Sequence, residues 1–449
     1  MSQARNEAIT QETKKQIAEM EALGFYHTIE LPNGEVLPGL LSAERLRNRL
    51  TQFAIPTDLR GKRVLDIGAW DGFYTFEMER RGAHVVALDL FRNEKFLLAR
   101  DLVKSKAEYV VGDICRLSSK DLGRFDMVLF FGVLYHVKHP VMALENVCSM
   151  TLDTAYVESY VIDDGTDLST PPVLEFYEKT ELRGQFDNWV GPNVPCLLAM
   201  ARAAGFADVQ FESVLSNRAH LTCRRKWSSA PGSDTAPEII CVENSISRDH
   251  DFSTNRDDYI SIYFRSATPG IGCDDVYAEV GPYAARPAEI VDAGGDGWLG
   301  VLKLPPGLDA NWHAIRLRVK QSQWSNSLRI PVDLSLEDQR ASSFLPESTD
   351  LRISLATDGK TWDRWRVKIG AGSCLSVWAA GIADACELRQ ILVLLNGLNL
   401  PAIYVSELDA EGLRQVNATL PAGLPPGKVK LRLLCAGDVS APVDLELVK

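Results

Sequence analysis

Four short segments, each at the end of an apolar run, carry residues suited to one chemistry. Val64-Leu65-Asp66-Ile67-Gly68-Ala69-Trp70-Asp71-Gly72 follows a strand pattern and opens a helix pattern. Its glycines let the backbone turn sharply and approach a ligand closely. The helix N-terminus beyond offers free N–H groups and a partial positive charge, which suit a carboxylate or a phosphate. Asp89 ends the next run, VVALDL, where a carboxylate can accept two hydrogen bonds from ribose hydroxyls. Gly112-Asp113-Ile114 ends the third run, at an edge where a side chain can bond an adenine amino group. The fourth run, DMVLFFGVLYHV, ends beside the same crevice. Open α/β sheets bind ligands outside the carboxyl ends of their strands, so the four segments converge on one ligand.

The elements that must position them are legible in the patterning. Between residues 61 and 227, RVLDIG, HVVALDL, EYVVGDI, DMVLFFGV and TAYVESYVI alternate with helical stretches such as GFYTFEMERRG and NEKFLLARDLV. Strands alternating with helices at this spacing imply right-handed βαβ units. The amphipathic PCLLAMARAAGF precedes a terminal strand pair, DVQFESVL and AHLTCRRK. The fold class predicted is α/β Rossmann-like, with a mostly parallel seven-stranded sheet. Residues 1–60 read as a helical leader packed on this domain, with helices at Gln11–Leu23 and Ser42–Phe53 and a hairpin at Pro32-Asn33-Gly34.

Residues 228–236 form a linker by composition. Beyond it short alternating stretches bounded by Pro, Gly and Asp replace helical periodicity. Residues 276–308 align without gaps to 392–424, which places Gly281 on Gly397, Leu304-Pro305 on Leu420-Pro421 and Arg316 on Arg432. The repeat predicts two all-β modules, 237–340 and 341–449, each an immunoglobulin-like sandwich, with the boundary near Ser335–Glu347. Trp298, Trp312, Trp324, Trp362, Trp365 and Trp378 crowd this half. Sandwich core accounts for such residues more often than a sugar-binding platform.

Bulk composition narrows the partners. Lys and Arg total 48 against 60 Asp and Glu, a formal charge of −12. Phosphate neutralisation needs clustered cations, so nucleic acid is the less favoured partner. No run of about 18 apolar residues suggests a membrane span, and the polar N-terminus lacks a signal-peptide core; the expected compartment is cytoplasmic. The nine cysteines are scattered without a CxxC, which predicts free thiols and no metal site.

The four segments together resemble class I S-adenosylmethionine-dependent methyltransferases. More narrowly, VLDIGAWDGFYTFEMERRGA and FFGVLYHVKHPVMALENV resemble the group related to the tRNA uridine-34 oxyacetic-acid synthase, a carboxymethyltransferase. The resemblance covers roughly residues 40–215. It implies S-adenosyl-L-methionine as cofactor. Asp66, Gly68, Trp70 and Gly72 would lie at its methionine end, and Asp89 with Leu90 at the ribose. Asp113 and Ile114 would meet the adenine, and Gly132, Val133 and Leu134 would line the sulfonium. Trp70 departs from the family's usual glycine. The stretch LSAERLRNRLTQFAIPTDLRGKR offers no Trp and no clear match to the residues that hold the extra carboxylate in carboxymethyl-transferring enzymes, which favours the ordinary cofactor.

His136 has an ordinary pKa suited to proton removal near neutrality. With Glu158 and Asp163 it forms the set of candidate bases. Tyr135, Tyr177, Trp189 and Asn193 are candidate substrate contacts, the last three on the segment after the fifth strand. The favoured function is methyl transfer to a small-molecule or glycan acceptor, at a hydroxyl. The alternatives are a tRNA-modifying (carboxy)methyltransferase and a non-catalytic cofactor-binding scaffold that works through the β modules. Sandwich edges leave homo-oligomerisation open.

Overall fold

The computed structural model describes residues 24–247, 251–334, 350–370, 372–382, 388, 391–396, 398–421, 424–435 and 438–449. The expected helix at Gln11–Leu23 and the boundary at Ser335–Glu347 lie outside these. The chain divides into two compact units, one being Met1–Ala230 with Pro282–Ala285 and Pro305–Gly307, the other the remainder.

The first unit is built on seven strands: β1 (Arg63–Ile67), β2 (His84–Asp89), β3 (Glu108–Val111), β4 (Phe125–Phe131), β5 (Thr151–Tyr160), β6 (Asp208–Val214) and β7 (Arg218–Arg224). Their order in the sheet is β6-β7-β5-β4-β1-β2-β3. The pairs β1–β2, β2–β3, β1–β4 and β4–β5 are parallel, and β7 runs antiparallel to both neighbours. Strand order reverses between β1 and β4, so the loops after these two strands open a crevice. Four of the five residues of β1 are buried, as expected for a strand covered on both faces.

Helices α1 (Phe73–Arg80), α2 (Glu94–Val103), α3 (Ser119–Leu122), α4 (Pro140–Met150) and α5 (Val194–Ala203) provide that cover. Phe73, Phe76 and Phe96 join one core cluster; Ala143, Leu144, Leu197 and Ala201 join the other.

The leader is partly extended. Phe25–His27 pairs in parallel with Gly39–Leu41, and Ile29–Glu30 pairs with Val36–Leu37 around the Asn33-Gly34 turn. A leader helix covers Ala43–Leu50, with the Ser42 side chain accepting the Arg45 N–H. Its Leu46 and Leu50 enter the cluster that contains Val64 of β1. Full burial of such a side chain contributes roughly 1.5–3 kcal/mol, which ties the leader to the sheet.

In the second unit the described residues form strands and the short 3-10 turn Cys273–Asp275. Two pairs of strands lie close to the offset of the sequence alignment. Asn311–Val319 and Gly427–Cys435 lie 116 positions apart at both ends. Tyr259–Arg265 and Cys374–Ala380 lie 115 positions apart at both ends. Strands between residues 238 and 332 make two four-stranded sheets, and those between 352 and 448 make a nine-stranded one. The expectation of free thiols needs one correction. Cys115, Cys148, Cys196, Cys223, Cys241, Cys273 and Cys374 are free, whereas Cys435 is disulfide-bonded.

Candidate cofactor and acceptor site

The crevice above β1 and β4 opens into a cavity of about 660 Å³. Gly68 sits at φ 74°, and a Cβ there would stand 2.3 Å from Cγ2 of Val133. Only glycine lets the loops after β1 and β4 come this close. Trp70 takes a positive φ of 50° and leaves its indole half exposed at the rim. The Asp89 carboxylate accepts the N–H groups of Trp70 and Leu90, each at 2.8 Å. Two oxygens offer about four acceptor positions, so it retains capacity toward the cavity it lines. Burial raises its pKa. Leu90, Asp113, Ile114, Gly132 and Val133 line the same cavity, and Gly132 has φ 71°.

Several expected contacts lie beneath or beside the cavity. Asp66, Gly72 and Leu134 are not among its lining residues. Asp66 is wholly buried and accepts a 2.6 Å hydrogen bond from Thr75. Burial, with the nearby Asp89 charge, pushes its pKa up to about 7. Gly72 opens α1 at φ 95°, and Leu134 belongs to the core. The segment after β5 uses its polar residues to hold itself together. Asp163 accepts the Val194 N–H, and Asn193 caps α5 and bonds Val173. The Tyr177 hydroxyl donates to Glu175, and Trp189 packs under Lys138 with 4.0 Å between the ammonium and the ring centre. Asp163, Tyr177, Trp189 and Asn193 are therefore placed outside the cavity, because an insertion must first satisfy its own backbone.

That insertion still forms one wall. Leu182, Arg183, Gln185, Asp187 and Asn188 line the cavity beside Tyr135 and His136. The Trp189 N–H donates to the Tyr135 carbonyl at 2.7 Å. His136 Nδ1 lies 3.0 Å from the Asp187 carbonyl oxygen. A carbonyl only accepts, so Nδ1 carries the proton and neutral His136 keeps its lone pair on Nε2. Burial holds the His136 pKa below its ordinary value.

Distant residues complete the floor. Glu158 is 2% exposed, and Arg218 Nη1 stands 3.4 Å from it and 2.8 Å from the Tyr135 hydroxyl, to which it donates. Arg49, from the leader helix, feels the Glu158 charge. Two guanidiniums thus face one carboxylate, and all three line the cavity with Tyr26, His27 and Tyr160. Sequence reading passed over Arg49 and Arg218. Arg49 lies in a stretch that showed no matching motif, and only the fold brings the two together. Among the described residues no group of three His, Cys, Asp or Glu could hold a metal ion.

A doubly wound sheet with a glycine-tight loop, an acid after β2 and another after β3 defines a domain that binds an adenosine-bearing cofactor at the switch point. Residues 41–196 match a family described as a methyltransferase domain. The chain therefore carries a class I S-adenosylmethionine-dependent methyltransferase domain, with S-adenosylmethionine as the cofactor that these residues fit. It is 31% identical over 159 residues to a tRNA U34 carboxymethyltransferase of Stutzerimonas stutzeri (strain A1501), covering 34% of this chain and 48% of that protein. It is 35% identical over 161 residues to one of Pseudomonas aeruginosa (strain LESB58), covering 34% and 47%. The chain thus spans about half the length of the curated relatives it matches. Among solved structures it is similar to the N-terminal domain of EvdMO1 with SAH bound, at 22% identity and TM-score 0.37, over 48% of this chain and 96% of that one. It is also similar to 1,6-didemethyltoxoflavin-N1-methyltransferase of Burkholderia thailandensis, at 20% identity and TM-score 0.29, over 40% and 75%.

Proposed function

We propose that the first unit transfers a methyl group to a hydroxyl of a small-molecule or glycan acceptor. When bound, the cofactor supplies a methyl group already activated by a sulfonium, so the protein's task is alignment and exclusion of water. In this reading Gly68 and Val133 form the close-fitting wall, Asp89 holds the ribose and Asp113 meets the adenine. Leu90, Ile114 and Gly132 complete the lining, and Asp66 acts from beneath through its field. The observation that carries the reading is His136. Its Nδ1–H is committed to the Asp187 carbonyl, which leaves Nε2 in a cavity-lining ring to take a hydroxyl proton. Glu158, paired with Arg218, lines the same cavity. The β modules aid assembly or substrate presentation, and their antiparallel duplicated strands support an immunoglobulin-like kinship.

A second reading has an observation of its own. Two guanidiniums against one carboxylate leave a positive charge uncompensated at the floor, which would suit a donor bearing an extra carboxylate. That is the chemistry named for the tRNA U34 carboxymethyltransferases. Calorimetric titration with S-adenosylhomocysteine and with its carboxylated analogue separates the two. Micromolar binding of the plain product, lost in Asp89→Ala, supports the first. A preference for the carboxylated analogue that disappears in Arg49→Ala supports the second. Folded wild-type protein that binds neither would sink the enzyme reading and favour a scaffold role.

A further inference from the structure

The glycine-rich loop contains a carboxylate that the methyl-transfer reading leaves unused. Asp71 is fully buried. Its Oδ2 accepts the backbone N–H of Tyr26 at 2.6 Å and of His27 at 3.1 Å. A buried carboxylate carries a large desolvation cost unless it is well bonded, and hydrogen bonds to an ionised acceptor are stronger than neutral ones. The side chain therefore fastens a leader strand to the loop between β1 and α1. Two more contacts act on the same strand. Lys95, in the first turn of α2, donates from Nζ to the Gly24 carbonyl at 2.6 Å. Gly39 lies so close that a Cβ there would stand 2.3 Å from the His27 carbonyl carbon.

What this strand carries gives the contact its meaning. Tyr26 and His27 line the cavity together with Gly68 and Asp89. The His27 ring lies 5.9 Å from that of Tyr74 and 6.3 Å from that of Phe73. Burial, aided by the Arg49 charge, lowers the His27 pKa to about 3. The ring is neutral at physiological pH, with one N–H and no charge, and serves as wall. In the donor reading, one short loop meets the donor with Gly68 and holds two residues of the cavity wall with Asp71.

We propose that Asp71 is a positioning residue that couples the donor to the cavity wall: the loop that meets the donor with Gly68 holds Tyr26 and His27 with Asp71, so donor binding and the order of this strand reinforce each other. The inference rests on the donor reading above. Coupling between sites is reciprocal, so loosening the strand must weaken the donor by the same factor that the donor tightens the strand.

The test is hydrogen exchange, read by mass spectrometry on a peptide covering residues 24–31, with and without S-adenosylhomocysteine. Calorimetric affinity is measured in parallel for wild type, Asp71→Ala and Asp71→Asn. In wild type the product slows exchange of this peptide about tenfold; in Asp71→Ala the slowing disappears and affinity falls by about the same factor. Asp71→Asn, which keeps an accepting oxygen, restores part of both effects. Should Asp71→Ala fail to fold, Asp71→Asn decides alone: intermediate protection and affinity support the coupling. Wild-type binding with no change in the peptide overturns the inference and spares the donor reading. So does a folded variant with wild-type affinity and protection. Absence of binding to wild type overturns the donor reading itself.

Discussion

At the scale of single residues, the two groups with the most consequential ionisation are Asp66 and His136. Asp66 sits in the core with a pKa of about 7, against an unfolded value of about 3.9. Between those values the folded state holds the extra proton, so folding stability falls as pH rises from about 4 to 7 and stays lower above. Asp66→Asn removes this penalty. The variant should be more stable than wild type at pH 8, by up to a few kcal/mol, and the gap should close below pH 4. Chemical denaturation at pH 4, 6 and 8 checks it; a gap that does not change with pH refutes it. His136 works in the opposite sense. Burial lowers its pKa, so the neutral base persists to lower pH than an ordinary histidine. Once an acceptor is in hand, kcat should fall only as pH drops below the usual histidine range. His136→Gln should lose about 10²–10⁴-fold in kcat with S-adenosylhomocysteine affinity unchanged. A flat pH profile, or lost product affinity, removes His136 from the base role.

At the scale of elements, the strand ends were legible because their signal is local. A glycine turn, an acid after β2 and a Gly-Asp pair after β3 each occupy a few consecutive residues. The leader was legible as a segment and opaque as a wall: nothing in TKKQIAEMEALGFYHTIELPNGE announces that Tyr26 and His27 meet Asp71. The insertion misled for a related reason. Tyr177, Trp189 and Asn193 have the types that bind ligands, but they hold the insertion's own hairpin and the cap of α5. The neighbours Arg183, Gln185 and Asp187 reach the cavity instead. Gly39 tests the leader as an element. A Cβ at this position would meet backbone atoms of His27 and Thr28 at 2.3–2.6 Å, and backbone cannot step aside as a flexible side chain can. Gly39→Ala should part the Phe25–His27 and Gly39–Leu41 pairing at a cost of about 1–3 kcal/mol. Limited proteolysis should then cut within residues 24–41 several times faster, with far-UV circular dichroism of the sheet unchanged. Equal cutting rates would show that the pairing does not hold the leader.

At the scale of the whole molecule, the repeat is a constant offset in the sequence, and two pairs of strands lie close to that spacing although their sheets differ. The disulfide at Cys435 was not readable, since spacing along a chain does not report which thiols a β module brings together. Charge is the remaining global property, and it bears on the two readings of function. With 60 acidic against 48 basic residues, the net charge opposes long-range attraction to a polyanion. The arginines that matter, Arg49 and Arg218, are spent inside the cavity, where a carboxylate-sized group could use them and a phosphate backbone could not track along them. A protein that works on RNA needs several phosphate contacts, each adding to the salt dependence of binding. Fluorescence anisotropy with bulk tRNA at about 0.15 M salt should therefore show no binding tighter than about 10 µM, the middle of the usual range for non-specific association. Nanomolar binding, with affinity falling steeply as salt rises, would mean that a local basic track overrides the net charge. The carboxylated-donor, tRNA-modifying reading would then become the stronger one.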